Sequence, residues 1–477
     1  MTSGVYTAGL IALLGFALFA AALLWRRTMA LRVTYLCTGA ALLRLSCSLD
    51  PYLHPWDERY HALVGKNGVE APLVPRLYVD EALPHDNTDW TTSWVWLHKP
   101  PLATWAISSS LALFGNEVWA VRLPSLLFGV IGTYLCFLLA SSVVCDRIGL
   151  WAGALWAVNG HLIELASGRT STDHIDALLV PMVLAGAVAA LRMAKTNSTW
   201  WAFATGVAMG LGFLTKAWPA LTVFLLAAVV LYSVSSISKA RSAGLLAMVV
   251  GVAILIAGPW QIYMSMRFPE LVALEAKANW AHLAENVEDH ARPWYYYLAQ
   301  FPMIHGEAAP IAVIAGLWLL WRKRDQHTLF LSVWFVVPFA LFSLAKSKMP
   351  AYTAIAAPSI FVLIAIAADD WWKRYRTGTS RKWFVLVGVV LLVVLPLRFS
   401  WNRVKPFEEP ECRYAITEEL KHLGPHDVVI GFQDPIALMF HTNVGAAYEQ
   451  LPDSTIASVR SKGYRVLRFS NGALEVQ

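Results

Sequence analysis

The sequence predicts an all-α polytopic membrane protein of about twelve transmembrane helices, with extracytoplasmic loops and a small C-terminal α/β domain. Three observations predict it. Of 477 residues, 57% are hydrophobic and 15% charged, and the mean hydropathy is +0.50. Apolar runs long enough to span recur along the chain, and basic residues gather in short clusters between them.

In order, the apolar runs are 5–25, 31–49, 120–144, 149–166, 173–193, 199–215, 217–235, 241–262, 306–321, 329–346, 351–368 and 381–399. Each falls near the roughly 17–25 residues that cross a bilayer as a helix. The first opens with MTSGVYTAG and lacks the positive start of a signal peptide, so it is expected to remain as a span. Leu102–Phe114 is too short to cross and reads as an interfacial or re-entrant piece. From Trp401 the composition becomes that of soluble protein. DVVIGF and YRVLRF read there as buried strands, and TEELKHL and Ser454 to Lys462 as helices. The expected units are therefore 1–400, the membrane domain, and 401–477, the small α/β domain.

The five cysteines, at 37, 47, 136, 145 and 412, form neither a CxxC metal motif nor a disulfide framework. The net charge of +6 is explained by cytoplasmic loops, and no basic stripe with interleaved aromatics suggests nucleic acid. Basic clusters lie at Arg26-Arg27, Arg147, Lys195, Lys239 to Arg241, Arg322 to Arg324 and Lys373 to Lys382. Placing all of them inside leaves three outer segments: 50–119, 263–305 and the tail. Asp57, Glu58, His61, His98, Glu117, Asp173, Glu275, His282 and His290 then share the outer face.

Chemistry is expected on that face. Asp57 and Glu58, in HPWDERYH, are adjacent acids at the end of an apolar run, and such acids must be solvated, paired or functional. Asp57 pairing with Arg59 at the water boundary is the plain alternative. Lys99 follows in HKPP, where two prolines stiffen the backbone behind a cation suited to phosphate, or to simple snorkelling. Further polar marks sit at the outer ends of runs: RLPS (122–125), GRTSTDHID (168–176), GLGFLTKAWP (210–219), HARPWYYYL (290–298) and KSKMPAYTAIAAP (346–358).

The order of these motifs across residues 31–365 resembles the GT-C membrane glycosyltransferases, with bacterial relatives of the protein O-mannosyltransferases and the lipid A aminoarabinose transferases the most similar branch. The resemblance implies a cell inner-membrane enzyme with a periplasmic site. It would transfer a sugar from a polyprenyl-phosphate donor, with inversion, to a lipid, glycan or protein hydroxyl, as in lipopolysaccharide modification or protein glycosylation. Asp57 matches the family's general base; Glu58 reads as orienting or sharing the acceptor proton or as a structural neighbour, and Asp173 as a second acidic position of the family or equally as a helix cap. Lys99 matches its phosphate-binding lysine and Tyr352 a tyrosine on the carrier phosphate, with Arg59, Arg169, Lys346 and Lys348 as neighbouring candidates. A divalent metal is the one cofactor implied. The family carries glutamate where this chain has His98, which could ligate with His282 or Glu275, or be a plain interfacial histidine. DERY is shorter than the family spacing, so Arg59 departs from the expected arginine. The aromatics of ARPWYYYLAQF read as an interfacial belt or as a roof over the site.

Two rivals remain. A transporter or flippase predicts ionisable residues deep within several spans and paired interrupted helices, whereas here the polar residues crowd the outer ends and no internal repeat is evident. A non-catalytic scaffold predicts that Asp57 and Lys99 are dispensable.

Overall fold

The computed structural model describes residues 2–376 apart from 26, 56, 235–236 and 288, then 387, 416, 418–470 and 473–476. The apolar run 381–399 lies outside the described residues.

Helices α1 (Thr2–Leu24) and α2 (Met29–Cys47) form an antiparallel pair, and α5 (Val118–Val143), α6 (Asp146–Val158) and α7 (Gly160–Ala166) pack beside them. The run 149–166 is not one helix, because Asn159 leaves helical geometry between α6 and α7 and its side chain caps α7. Further along come α8 (Asp173–Thr196), α9 (Thr199–Lys216), α10 (Thr222–Ser233), α11 (Lys239–Arg267), α12 (Pro269–Ala284), α13 (Tyr296–His305), α14 (Ala309–Arg322), α15 (Thr328–Leu344) and α16 (Ala357–Arg376). Among the described residues, five helical stretches are long and apolar enough to cross a membrane, or six if the α13–α14 pair, bent by 95°, counts as one. Shorter apolar helices, among them α4 (Leu102–Phe114), accompany them.

α8 is apolar on every side and buried along nearly its whole length, as a helix at the centre of a bundle must be. In lipid, close packing of small residues drives helix contact rather than the hydrophobic effect. Gly206 of α9 shows this, lying so near α11 that a Cβ would press on the Val249 carbonyl. At one end of the bundle Asp369 is paired with Arg147 at 2.6 Å and Lys373 at 2.9 Å, both from the basic clusters expected inside.

At the opposite end lies α3 (Glu58–Gly68). Its small face meets α4, where Ser108 Oγ donates to the Gly65 carbonyl at 2.7 Å. Tyr60, Leu63 and Val64, at helical spacing, turn the other way into a core made with the C-terminal sheet. That sheet has the order β2-β1-β3-β4, from β1 (Asp427–Ile430), β2 (Ala446–Tyr448), β3 (Arg465–Ser470) and β4 (Ala473–Val476). β1 pairs parallel with β2 and β3, and β4 closes one edge antiparallel. Helices α17 (Glu418–Lys421), α18 (Pro435–His441) and α19 (Asp453–Ser461) accompany it.

The core of this unit is continuous with the segment that follows α2. Leu77, Tyr78, Leu83 and Trp96 share it with Val428, Val429 and Leu467. Polar contacts follow the same seam. Lys66 Nζ donates to the carbonyls of Met439, Phe440 and Thr442, capping the C-terminal end of α18. Tyr448 Oη donates to the Pro84 carbonyl at 2.7 Å. Helix α3 is thus held between the bundle and the sheet.

Candidate active site

Asp57 precedes α3 and Glu58 is its first residue. Successive side chains on a helix point about 100° apart, so adjacent acids meet different surroundings.

Glu58 is fully buried. Arg122 Nε donates to its Oε1 at 2.6 Å, Arg122 Nη2 to its Oε2 at 2.9 Å, and the His54 backbone N–H to Oε2 at 2.7 Å. Arg122 also donates to the carbonyls of Ser48, Asp50 and Tyr52, which fixes the path of the chain as it leaves α2. His54 lies between two carboxylates, with Nε2 3.1 Å from Asp50 and Nδ1 2.8 Å from Glu58. Arg122 Nη2 is 3.1 Å from the same Nδ1. With an acid at each ring nitrogen, the imidazolium donating to both is the form that fits. Burial pushes the His54 pKa down, but Glu58 and Asp50 hold it above its ordinary value. Burial likewise pushes Glu58 up, and Arg122 with His54 overcomes this and holds it well below the usual carboxylate range. Arg169 Nη2 closes the cluster on Asp50 at 2.5 Å. Gly168, at φ +72°, is needed twice over, because any Cβ there would also overlap the Glu58 carboxylate. Glu58 and Arg169 are therefore placed as members of a buried ionic clamp.

Asp57 is partly exposed, and its Oδ2 accepts from the Thr172 backbone N–H at 2.8 Å. Thr172 itself adopts φ 61°, a strained conformation for a β-branched residue, just before Asp173 opens α8. Thr172 Oγ1 and Lys216 Nζ both donate to Asp176 Oδ2 at 2.5 Å. Lys216 also lies 5.0 Å from the centre of the Tyr352 ring. Lys99 Nζ donates to His98 Nε2 at 2.8 Å. Burial and then Lys216 lower the Lys99 pKa, while Asp57, Glu275 and Asp176 oppose this. Burial, and then Lys99 among other cations, pushes His98 well below its usual value, so it is a neutral acceptor that aims Lys99. Its ring stacks on Trp90 at 4.4 Å. The result is a partly exposed carboxylate beside two ammonium groups and a phenol. Such a set can accept a proton and hold an anion.

Asp57, Asp173, Lys99 and Tyr352 thus share one locality, and other expected residues lie elsewhere. Arg59 does not pair with Asp57; it reaches the C-terminal unit, Nη1 lying 3.1 Å from Asp434. Lys348 turns inward onto the carbonyls of Arg292 and Ala345, and Lys346 is exposed, its backbone N–H bound to the Leu283 carbonyl. His98 and His282 do not make up a metal centre. His98 Nε2 is taken by Lys99, its Nδ1 is 3.9 Å from Glu275, and His282 Nδ1 faces the Ala278 carbonyl at 2.9 Å. Among the described residues no group of three or more His, Cys, Asp or Glu side chains is arranged to hold a metal.

The structure adds Arg122, His54, Asp50, Asp176, Thr172 and Lys216. Arg122 and Lys216 lie inside RLPS and GLGFLTK, one a lone cation within an apolar run and the other a lone cation between two, and that is the signal the sequence offers.

A family model described as dolichyl-phosphate-mannose-protein mannosyltransferase matches residues 98–263. An undecaprenyl phosphate-alpha-4-amino-4-deoxy-L-arabinose arabinosyl transferase of Pseudomonas fluorescens Pf-5 is 29% identical over 293 residues, 60% of this chain and 52% of the relative. A relative of the same description from Pseudomonas aeruginosa LESB58 is 27% identical over 329 residues, 66% of this chain and 58% of its own length. This chain therefore spans about half the length of the relatives it matches. In structure it is similar to ArnT of Cupriavidus metallidurans bound to undecaprenyl phosphate, with a TM-score of 0.66, 19% identity and coverage of 90% of this chain and 88% of that one. The oligosaccharyltransferase AglB of Archaeoglobus fulgidus, in complex with an inhibitory peptide and a dolichol-phosphate, follows at a TM-score of 0.59 and 12% identity, covering 91% of this chain and 69% of that one. The fold is the one these membrane glycosyltransferases share, and the chain resembles the GT-C class to which its motifs pointed.

Proposed function

We propose that this protein transfers a sugar from a polyprenyl-phosphate carrier to a hydroxyl acceptor, on the outer face of the cytoplasmic membrane and with inversion at the anomeric carbon. The observation that carries this reading is the partly exposed Asp57 beside Lys99 and Lys216 at one end of an apolar bundle. The relatives named for undecaprenyl phosphate-linked aminoarabinose, and the similar structure bound to undecaprenyl phosphate, supply the substrate class.

In this mechanism the acceptor oxygen attacks the anomeric carbon as its proton passes to Asp57. The bond from that carbon to the phosphate oxygen breaks, and the electron pair leaves with the polyprenyl phosphate. Lys99 and Lys216 oppose the charge that develops on the leaving phosphate, and His98 holds Lys99 in position. Tyr352, beside Lys216, offers its phenol to the same phosphate. Asp57 performs this step rather than Glu58, because Glu58 has no exposed surface and already accepts from Arg122 and the His54 backbone.

The test is Asp57→Asn in purified, detergent-solubilised protein, scored by release of polyprenyl phosphate. Turnover should fall by about 10²–10⁴-fold while the thermal melt and donor binding persist. Near-normal turnover overturns the reading.

A further inference from the structure

We propose that Thr172 and Asp176 are positioning residues that hold Lys216, a cation for the leaving phosphate, in fixed register with Asp57, the base. The inference rests on the reading of Asp57 and Lys216 given above. It is carried by an unbroken chain of hydrogen bonds that joins the two through Thr172. Asp57 Oδ2 accepts from the Thr172 backbone N–H at 2.8 Å. Thr172 Oγ1 donates to Asp176 Oδ2 at 2.5 Å, and Lys216 Nζ donates to that same oxygen at 2.5 Å. Three elements therefore meet at this point: the start of α3, the start of α8 and the last residue of α9.

Thr172 stands where a hydroxyl ordinarily caps a helix by accepting from a backbone N–H of the first turn. It makes no such bond. The turn is closed instead by the Asp176 N–H on the Thr172 carbonyl at 2.9 Å, which leaves the hydroxyl for the Asp176 carboxylate. With its backbone at φ 61°, a conformation that β-branched residues rarely adopt, Thr172 presents its N–H to Asp57 and its hydroxyl to Asp176 at once.

Neither residue is placed to meet a substrate, since Thr172 is 3% and Asp176 1% exposed. Lys216 is different, because its ammonium carries three N–H donors and Asp176 receives only one of them. A lysine stem is flexible, and a carboxylate on one side with the Tyr352 ring 5.0 Å away restricts where Nζ can lie. The neighbouring acid and cation do not share this task. Asp173 Oδ1 is 2.7 Å from His61 Nδ1, and Lys99 donates to His98 at 2.8 Å.

The decisive variant is Thr172→Val, which keeps the shape, the β-branching and the backbone N–H to Asp57 and removes the hydroxyl. Scored by release of polyprenyl phosphate from purified protein, its kcat should fall about tenfold, as a catalytic group shifted by a fraction of an ångström would cause. Thr172→Ser restores the hydroxyl and should lie within about twofold of the parent. Lys216→Met alone should lose about 10²-fold. In that background Thr172→Val should cost less than about twofold more, because the group it acts through is gone. Asp176→Asn, which keeps an acceptor for Thr172 and removes the charge opposite Lys216, should be non-additive with Lys216→Met in the same way. Equal losses in both backgrounds, no loss in the parent, or a Thr172→Ser as slow as Thr172→Val each overturns the proposal. Should Thr172→Val fail to fold, Thr172→Ala is measured with the same expectations. Asp57→Asn and Lys216→Met run alongside separate the two failures. Full activity of either removes the underlying reading and the proposal with it, whereas their inactivity beside a Thr172→Val as fast as the parent removes only the role of Thr172 and Asp176.

Discussion

The clamp around Glu58 and the pocket around Asp57 begin at adjacent residues and treat charge in opposite ways. In the clamp, Arg122, His54 and Arg169 each meet a carboxylate, every contact is direct, and the acid is fully buried. In the pocket, Asp57 is partly exposed and accepts from a backbone N–H, the Lys99 ammonium donates to a neutral histidine, and Lys216 meets Asp176 at the pocket's inner side. Charges matched within the protein hold structure. Charges left to face an opening are available to a substrate, and near a membrane they are expensive to keep for any other purpose.

The sharpest way to break the comparison is Glu58→Gln. Removing one partner of a buried pair strands the other, and about 3–5 kcal/mol of stability should be lost, read as the unfolding transition in detergent. If Glu58→Gln melts like the parent and has lost all turnover, Glu58 belongs to the chemistry and the division fails. The same acid predicts a pH dependence. Its folded pKa is held below the ordinary value of 4.5, so its contribution is complete above that value and is lost as pH falls through the folded pKa. The melting temperature should therefore drop on acidification below about 4.5, the carboxyl's ordinary pKa, and Glu58→Gln should remove part of that slope.

Lys99→Met sharpens the other side. Loss of one preorganised charge at a developing anion should reduce turnover by about 10²–10³-fold, with the melt nearly unchanged because no carboxylate is stranded. A large loss of stability with modest loss of turnover would move Lys99 into the clamp. Ionic strength is a second readout, since a partly solvated cation should weaken in its hold on phosphate as salt rises.

The sequence made the bundle legible because its apolar runs are long and its cations lie between them. The strands DVVIGF and YRVLRF were legible for the same reason, as short apolar runs bounded by turns. β2, only three residues long, carried no such pattern. The break in the run 149–166 is not legible because a single polar residue, Asn159, leaves the run apolar on average. In the site, Asp57 and Lys99 stood out as ions beside apolar runs. Which acid was buried did not, because that depends on Arg122, 64 positions after Glu58 in the chain. The long-range partner of Arg59 was hidden likewise, since Asp434 belongs to a unit whose composition looks independent.

Arg59 gives the smallest expected effect and tests where the clamp ends. Its pair with Asp434 is partly exposed, at 25% and 12% for the two side chains, and pairs of that kind contribute about 1 kcal/mol or less. Arg59 also lies 5.1 Å from the Tyr60 ring, within the seam that joins α3 to the sheet. Arg59→Ala and Asp434→Ala, alone and together, should therefore show a coupling of about 0.2–1 kcal/mol in stability and a KM for the donor within about twofold of the parent, since 1.4 kcal/mol would be needed for tenfold. The apolar seam, with Leu63, Val64 and Val428 in it, continues to hold α3 when that pair is gone. A tenfold rise in donor KM for Arg59→Ala that Asp434→Ala does not share would mean that Arg59 leaves Asp434 to meet the phosphate, and the boundary between the held and the waiting charges would move to include it.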